Sequence, residues 1–129
     1  MPAVSNIVLA DATPANHTFV PVSVTPDQAV WLDRDGTTAA GSKELVAQYS
    51  RANGARKTDR VKIRLNIPYE ATSTDTGKTY VAYTARFSCD IVLPDEMSAT
   101  ERGHVAALIK NALADSVLNG YISDLDPAY

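Results

Sequence analysis

The sequence has a single cysteine, Cys89, in 129 residues. That excludes an intramolecular disulfide and any metal site built from several thiolates. Cys89 stands in the alternating run Arg86-Phe87-Ser88-Cys89-Asp90-Ile91-Val92, where a thiol reads as a small buried apolar group and not as a nucleophile. Histidine is scarce too: His17 and His104 are far apart and sit in segments with structural roles of their own. No Gly-x-Ser-x-Gly, His-Glu-x-x-His or phosphate-loop pattern occurs. Asp33-Arg34-Asp35-Gly36 opens like a calcium loop but lacks the glutamate that would close the coordination shell. Asp95-Glu96 precede a helix start, where acids simply favour the helix dipole. The chain therefore offers no catalytic residue, no metal site, no cofactor site and no small-molecule pocket, and an enzyme is not expected.

Long apolar runs are missing as well. Nothing approaches the roughly 18 residues that a membrane-spanning helix needs, so no membrane association is expected. The start, Met1-Pro2-Ala3-Val4-Ser5-Asn6, has no basic region followed by an apolar one, so no secretory signal is expected, and the chain is expected to work in a reducing cytoplasm or to leave it by a route that needs no signal. What is present is ordinary for a globular chain: 45% hydrophobic and 21% charged residues. The length fits a single domain, residues 1–129, able to bury about two-thirds of its unfolded surface.

Three zones follow along that domain: 1–42, 43–93 and 94–129. In the first, Ile7-Val8-Leu9-Ala10 and His17-Thr18-Phe19-Val20-Pro21-Val22 flank a turn-rich connection and predict a β-hairpin. Pro21 confines its strand to an edge, or to a register in which the missing N–H faces outward. Ala29-Val30-Trp31-Leu32 is a short strand, and Asp33 to Gly36 a turn. In the second zone, Lys43 to Arg51 and Arg60 to Ile67 read as strands around Asn53-Gly54, a dipeptide that marks tight hairpins. Pro68 is expected to end the return strand. A polar loop, Ala71 to Lys78, leads to a long strand from Thr79 to Leu93. In the third zone, Ser98-Ala99-Thr100-Glu101 is a capping box. Val105, Leu108, Ile109, Ala112 and Leu113 then form one apolar helical stripe. Leu118-Asn119-Gly120 reads as a helix stop, and a short second helix precedes Pro127. The fold class is α+β: an N-terminal hairpin, an antiparallel meander and two C-terminal helices. One helix and a fragment cannot cover such a sheet, so an interlocked homodimer, each chain's helices lying on its partner's sheet, is expected.

The net charge of −3 conceals a strong polarity. Six of the twelve basic residues, Arg51, Arg56, Lys57, Arg60, Lys62 and Arg64, fall between positions 51 and 64, with Asp59 alone opposing them. On the alternating strand, Val61, Ile63, Leu65 and Ile67 share one face, while Arg60, Lys62 and Arg64 project from the other, about 7 Å apart. That spacing resembles the spacing of phosphates along a nucleic acid. The same cations would serve equally well on a merely solvated strand face. Tyr49 has the parity of Arg51, which places it on the basic face as a platform for an unpaired base, unless it packs at the sheet margin.

The order of elements resembles the coat protein of single-stranded RNA bacteriophages, the levivirus family, over essentially the whole chain. The most specific stretches are Tyr49-Ser50-Arg51 with Arg60 to Pro68, the segment Ala99 to Tyr129 with its allolevivirus-like Asp126-Pro127-Ala128-Tyr129 end, and Ser5 to Asp11. The resemblance implies interlocked dimers, assembly into a small quasi-equivalent icosahedral shell, and a virion protein made in the cytoplasm of a bacterial host. It implies a sheet lining the interior that binds genomic single-stranded RNA, including a hairpin acting as translational operator and packaging signal. By position, Arg51, Arg60, Lys62 and Arg64 match the family's RNA contacts, with Arg86 and Ser88 on the last strand. Where family members often carry a base-stacking tyrosine, this sequence has Arg86, and Tyr83 has the opposite parity. Stacking therefore passes to Tyr49, or to the Arg86 guanidinium, or is lost. The loop from Tyr69 to Tyr80 holds no cysteine, so inter-subunit disulfides are excluded there. A cellular dimeric RNA- or DNA-binding module that forms no shell is the alternative.

Overall fold

The computed structural model describes residues 4–34, 36 and 38–125. Asp35 of the expected turn and the Asp126-Pro127-Ala128-Tyr129 end lie outside that description. The chain divides into two compact units between Val92 and Leu93. β1 (Ile7–Ala10), β2 (Asn16–Val24), β3 (Gln28–Asp33), β4 (Lys43–Ser50), β5 (Thr58–Thr72) and β6 (Thr79–Pro94) form one antiparallel sheet in sequence order, all of it in the first unit except the last two residues of β6.

The N-terminal hairpin forms because Asp11 organises its turn. The carboxylate accepts the N–H groups of Thr13 at 2.9 Å and Ala15 at 2.7 Å, and also the Thr13 hydroxyl. These bonds, with His17 alongside, hold its carboxyl well below the usual range. The ring of His17 bridges Asp11 (Nε2, 2.9 Å) and the buried Asp33 (Nδ1, 3.2 Å), joining the turn, β2 and β3. Pro21 is tolerated in an interior strand for local reasons. β1 pairs no further along β2 than Phe19, and the β2–β3 register shifts between Pro21 and Ser23. A bulge of that kind removes the need for one ladder N–H.

Pro68 does not end β5, which runs on to Thr72. The ladder with β4 runs to the Glu44–Asn66 pair, so no N–H at position 68 is required on that side. The extension has a function. Glu70 accepts the backbone N–H and hydroxyl of Thr38 at 3.0 and 2.9 Å and secures the connection between β3 and β4. A Cβ at position 41 would stand 2.5 Å from the Glu70 carboxyl carbon, so a larger residue there would have to displace that carboxylate from Thr38. Beyond β5, Ser73 accepts the N–H of Gly77 at 2.9 Å, and Gly77 takes φ +70°, a value that favours glycine.

The second unit contains α1 (Ala99–Ala114) and α2 (Ser116–Ser123). The capping box is formed as expected: the Glu101 N–H donates to Ser98 Oγ at 3.2 Å, and Glu101 Oε1 accepts from Ser98. The expected stop at Leu118-Asn119-Gly120 is not where the helix breaks, since all three residues lie inside α2. The break is at Asp115, which leaves helical geometry and whose carboxylate accepts the Val117 N–H at 2.9 Å. An aspartate cap satisfies an otherwise orphaned donor, and it outweighs the weak breaking tendency of one internal glycine. No residue of either helix is buried.

Candidate nucleic-acid interface

Pairing between β4 and β5 decides which side chains share a face. The register sets Ser50 opposite Arg60, Gln48 opposite Lys62, Val46 opposite Arg64 and Glu44 opposite Asn66. The odd-numbered partners, Leu45–Leu65, Ala47–Ile63 and Tyr49–Val61, occupy the other face. β3 extends the same division, with Gln28 opposite Gln48 and Val30 opposite Val46.

Two pairs carry it across to β6. Lys62 Nζ lies 3.9 Å from Asp90 Oδ2, and the rings of Tyr69 and Tyr83 are 5.5 Å apart. Seven residues up β5 and seven down β6 separate these pairs, as one antiparallel register requires. Counting back from Asp90 in steps of two, Ser88 and Arg86 stand on the face of Arg60, Lys62 and Arg64. Tyr83 stands on the apolar-patterned face with Tyr69, as its parity predicts.

Two open grooves mark the polar face. One, of about 560 Å³, is lined by Gln28, Gln48, Tyr49, Ser50, Arg51, Arg56, Arg60, Lys62 and Asp90, with Asp27 at its margin. The other, of about 450 Å³, is lined by Glu44, Arg64, Asn66, Thr84, Arg86 and Ser88, with Ala40, Ser42, Pro68 and Phe87 completing it. The expected site residues are thus divided between two neighbouring grooves. Arg60, Arg64 and Arg86 have no carboxylate partner among the described residues, and all three are exposed. Lys62 has only the loose Asp90 pair, exposed on both sides and so screened by solvent. An array of exposed cations with little internal compensation is suited to a polyanion.

Tyr49 requires a correction. Its register partner is Val61, which places it on the face opposite Lys62. The Arg51 guanidinium carbon lies 6.0 Å from its ring centre, and its hydroxyl donates weakly to Asp59 Oδ1 at 3.4 Å. Both residues border the first groove where β4 ends, and the ring is engaged by the hairpin's own chain. The cause is the turn. A two-residue connection at Asn53-Gly54 would pair Tyr49 with Thr58 and bring it to the basic face. The chain instead uses a seven-residue connection, 51–57, and a register change by an odd number turns every side chain over. Within that connection Asn53 starts a turn closed by Arg56, with reciprocal backbone bonds of 2.8 and 3.1 Å.

Arg56 also differs from the other cations of its window. Its guanidinium donates to Ser50 Oγ at 2.6 Å, Arg51 O at 2.7 Å and Thr58 O at 3.1 Å, so it fastens the loop. Sequence reasoning missed Gln28, Gln48, Ser50, Glu44, Asn66, Thr84 and Asp90. Gln48 donates to Gln28 at 2.8 Å, a pairing that only the register reveals. Among the described residues no group of His, Cys, Asp and Glu is arranged to hold a metal ion, and no helix is long and apolar enough to cross a membrane.

Solved structures share this fold across their whole length. The virus-like particle of bacteriophage NT-214 is 28% identical, with a TM-score of 0.85 over 99% of this chain and 100% of that one. The virus-like particle of bacteriophage ESE058 is 29% identical, with the same TM-score and coverages. That of Beihai levi-like virus 21, at 22% identity, TM-score 0.90 and 99% of both chains, agrees in fold. No curated protein sequence matches the chain. A six-stranded antiparallel sheet followed by two helices, in these relatives, defines a viral coat protein: a structural protein of capsids and not an enzyme. A family model described as levivirus coat protein matches residues 2–129, and the chain belongs to that family.

Proposed function

We propose that the chain forms a homodimer that assembles into a closed icosahedral virion shell and packages genomic single-stranded RNA on the polar face of its sheet. The observation that carries the RNA reading is the segregation of Arg60, Lys62, Arg64 and Arg86 on one face, where Glu44 and the loosely paired Asp90 compensate them only in part. Assembly is supported by the virus-like particles formed by relatives of the same fold and length. Arg51 and Ser88 add to the RNA-facing set at the loop end of β4 and on β6, and Tyr49 serves at the margin as a scaffold for Arg51 and not as a base platform. A hairpin in the genome held on the same face would also repress translation of a downstream gene.

The sheet's terminal strand supports dimerisation. β6 is a 16-residue terminal strand of the sheet, and a long free edge of that kind calls for a partner. Pairing two β6 edges about a two-fold axis makes one continuous sheet, doubles the cationic face and places each chain's helices beside its partner. The single domain then reaches its full core only as two copies.

The test is expression of the protein alone. Electron microscopy should find closed shells containing nucleic acid, and a species that stops at the dimer would instead favour the cellular binding module. Lys62→Glu with Arg64→Glu should lower RNA affinity and reduce the slope of its salt dependence by about two, one per lost phosphate contact. Unchanged affinity and slope would remove RNA from this face.

A further inference from the structure

Asn53-Gly54 is one of two Asn-Gly pairs in the chain, the other being Asn119-Gly120, and the structure treats them differently. Asn53 and Gly54 are both exposed, at the turn between β4 and β5. The Asn53 side-chain oxygen accepts the N–H groups of Ala55 and Arg56, each at 2.9 Å. The Gly54 N–H has no acceptor among the described residues. Asn119 and Gly120 lie in the middle of α2, with Asn119 N–H bonded to Asp115 O at 2.9 Å and Asp124 N–H to Gly120 O at 3.0 Å.

We propose that Asn53 is a site of spontaneous deamidation, and that the charge it acquires weakens nucleic-acid binding by the adjoining cations. The Gly54 nitrogen, after losing its proton to solvent base, attacks the Asn53 side-chain carbonyl carbon. A nitrogen–carbon bond forms, the carboxamide carbon–nitrogen bond breaks, and the departing nitrogen takes a proton from solvent and leaves as ammonia. Water then opens the cyclic imide at either carbonyl, giving aspartate or isoaspartate at position 53. Three features favour the step here. Glycine has no Cβ to obstruct the approach, its N–H carries no competing hydrogen bond, and two backbone donors already face the oxygen on which negative charge develops. In α2, successive i to i−4 bonds hold the backbone in a helical geometry that keeps nitrogen and carbonyl carbon from closing the ring.

The consequence rests on the RNA reading above. The product places a negative charge in a connection that holds Arg51, Arg56 and Lys57 and leads into Arg60. The isoaspartyl form also lengthens the main chain inside the turn closed by Asn53 and Arg56.

Prolonged incubation of the full chain at mildly alkaline pH, followed by tryptic mapping, tests the site. The Ala52–Arg56 peptide should accumulate aspartyl and isoaspartyl forms, faster as pH rises, while Asn119 stays intact. Gly54→Ala should slow the reaction manyfold without unfolding the protein, because a Cβ there meets nothing within 4 Å and φ lies outside the left-handed region. Deamidation that is absent at Asn53, or equal at Asn119, overturns the site. Asn53→Asp reads the consequence directly: a several-fold loss of RNA affinity, with a salt slope smaller by about one. If Asn53→Asp leaves affinity unchanged while Lys62→Glu with Arg64→Glu lowers it, the link to binding is wrong. If neither changes it, the RNA-facing reading fails, and the functional half of the proposal with it, whatever the mapping finds at Asn53.

Discussion

Phe19 and Val46 are the buried hydrophobic residues of the described chain, 2% and 4% exposed, and they lie on opposite faces of the sheet. Phe19 sits opposite Ile7 on the β1–β2 ladder. Val46 sits between Val30 and Arg64 on the face that otherwise carries charge. A buried valine in register with an exposed arginine is where an arginine stem can cover apolar surface while its guanidinium remains in solvent. Phe19→Ala should cost about 3 kcal/mol or more in stability, through lost burial and the cavity left behind, read as a shift of the denaturant midpoint. Tyr49→Leu, which removes the ring on which a base would stack, should lower RNA affinity no more than Arg51→Ala does, since the ring serves Arg51 and not a base. A larger loss of affinity in that variant would return Tyr49 to the binding face.

At the scale of elements, the N-terminal turn depends on one ionised carboxylate. The folded chain depresses the Asp11 carboxyl, chiefly through the Thr13 hydroxyl, then the Ala15 N–H, then His17. A depressed carboxyl contributes stability above its unfolded value, and that contribution is lost as pH falls below about 4. Asp11→Asn should therefore loosen the β1–β2 hairpin near neutral pH, seen as faster amide exchange at Thr13 and Ala15, and should flatten the hairpin's response to acid. Equal protection in both proteins at neutral pH would mean that backbone pairing alone holds the turn. Elements were largely legible in the sequence because alternation and caps are local properties: the basic strand, the long last strand and the Ser98 box could be read directly. Register and strand length were not. Asn53-Gly54 promises a tight turn, but the seven-residue connection fastened by Arg56 and Asp59 is a tertiary solution, and it alone moves Tyr49 to the other face. The run of β5 beyond Pro68 was hidden for a similar reason, since proline's penalty depends on whether a neighbouring strand asks for its N–H.

At the scale of the whole molecule, the terminal strand of the sheet carries large apolar side chains that stay exposed. Tyr83, Phe87 and Val92 on β6 are 68%, 38% and 53% exposed, and Leu108 on α1 is 70% exposed. In a soluble monomer such side chains would be scattered singly, whereas here Tyr83 and Phe87 share one face of the terminal strand, with Val92 on the other. In the proposed dimer a second chain would cover the apolar-face pair in an obligate interface, for which about 2,000 Å² or more of buried surface is typical. Folding and association then become one equilibrium, and the unfolding midpoint must rise with protein concentration. Phe87→Asp provides the decisive contrast. It places a charge where the partner is expected and leaves Arg60, Lys62 and Arg64 untouched. Sedimentation should find no dimer and no shells, and the unfolding midpoint should fall sharply. If Phe87→Asp still forms shells of normal size, the β6 edge is not the two-fold contact, and the cations on either side of that edge do not form one continuous RNA-binding surface.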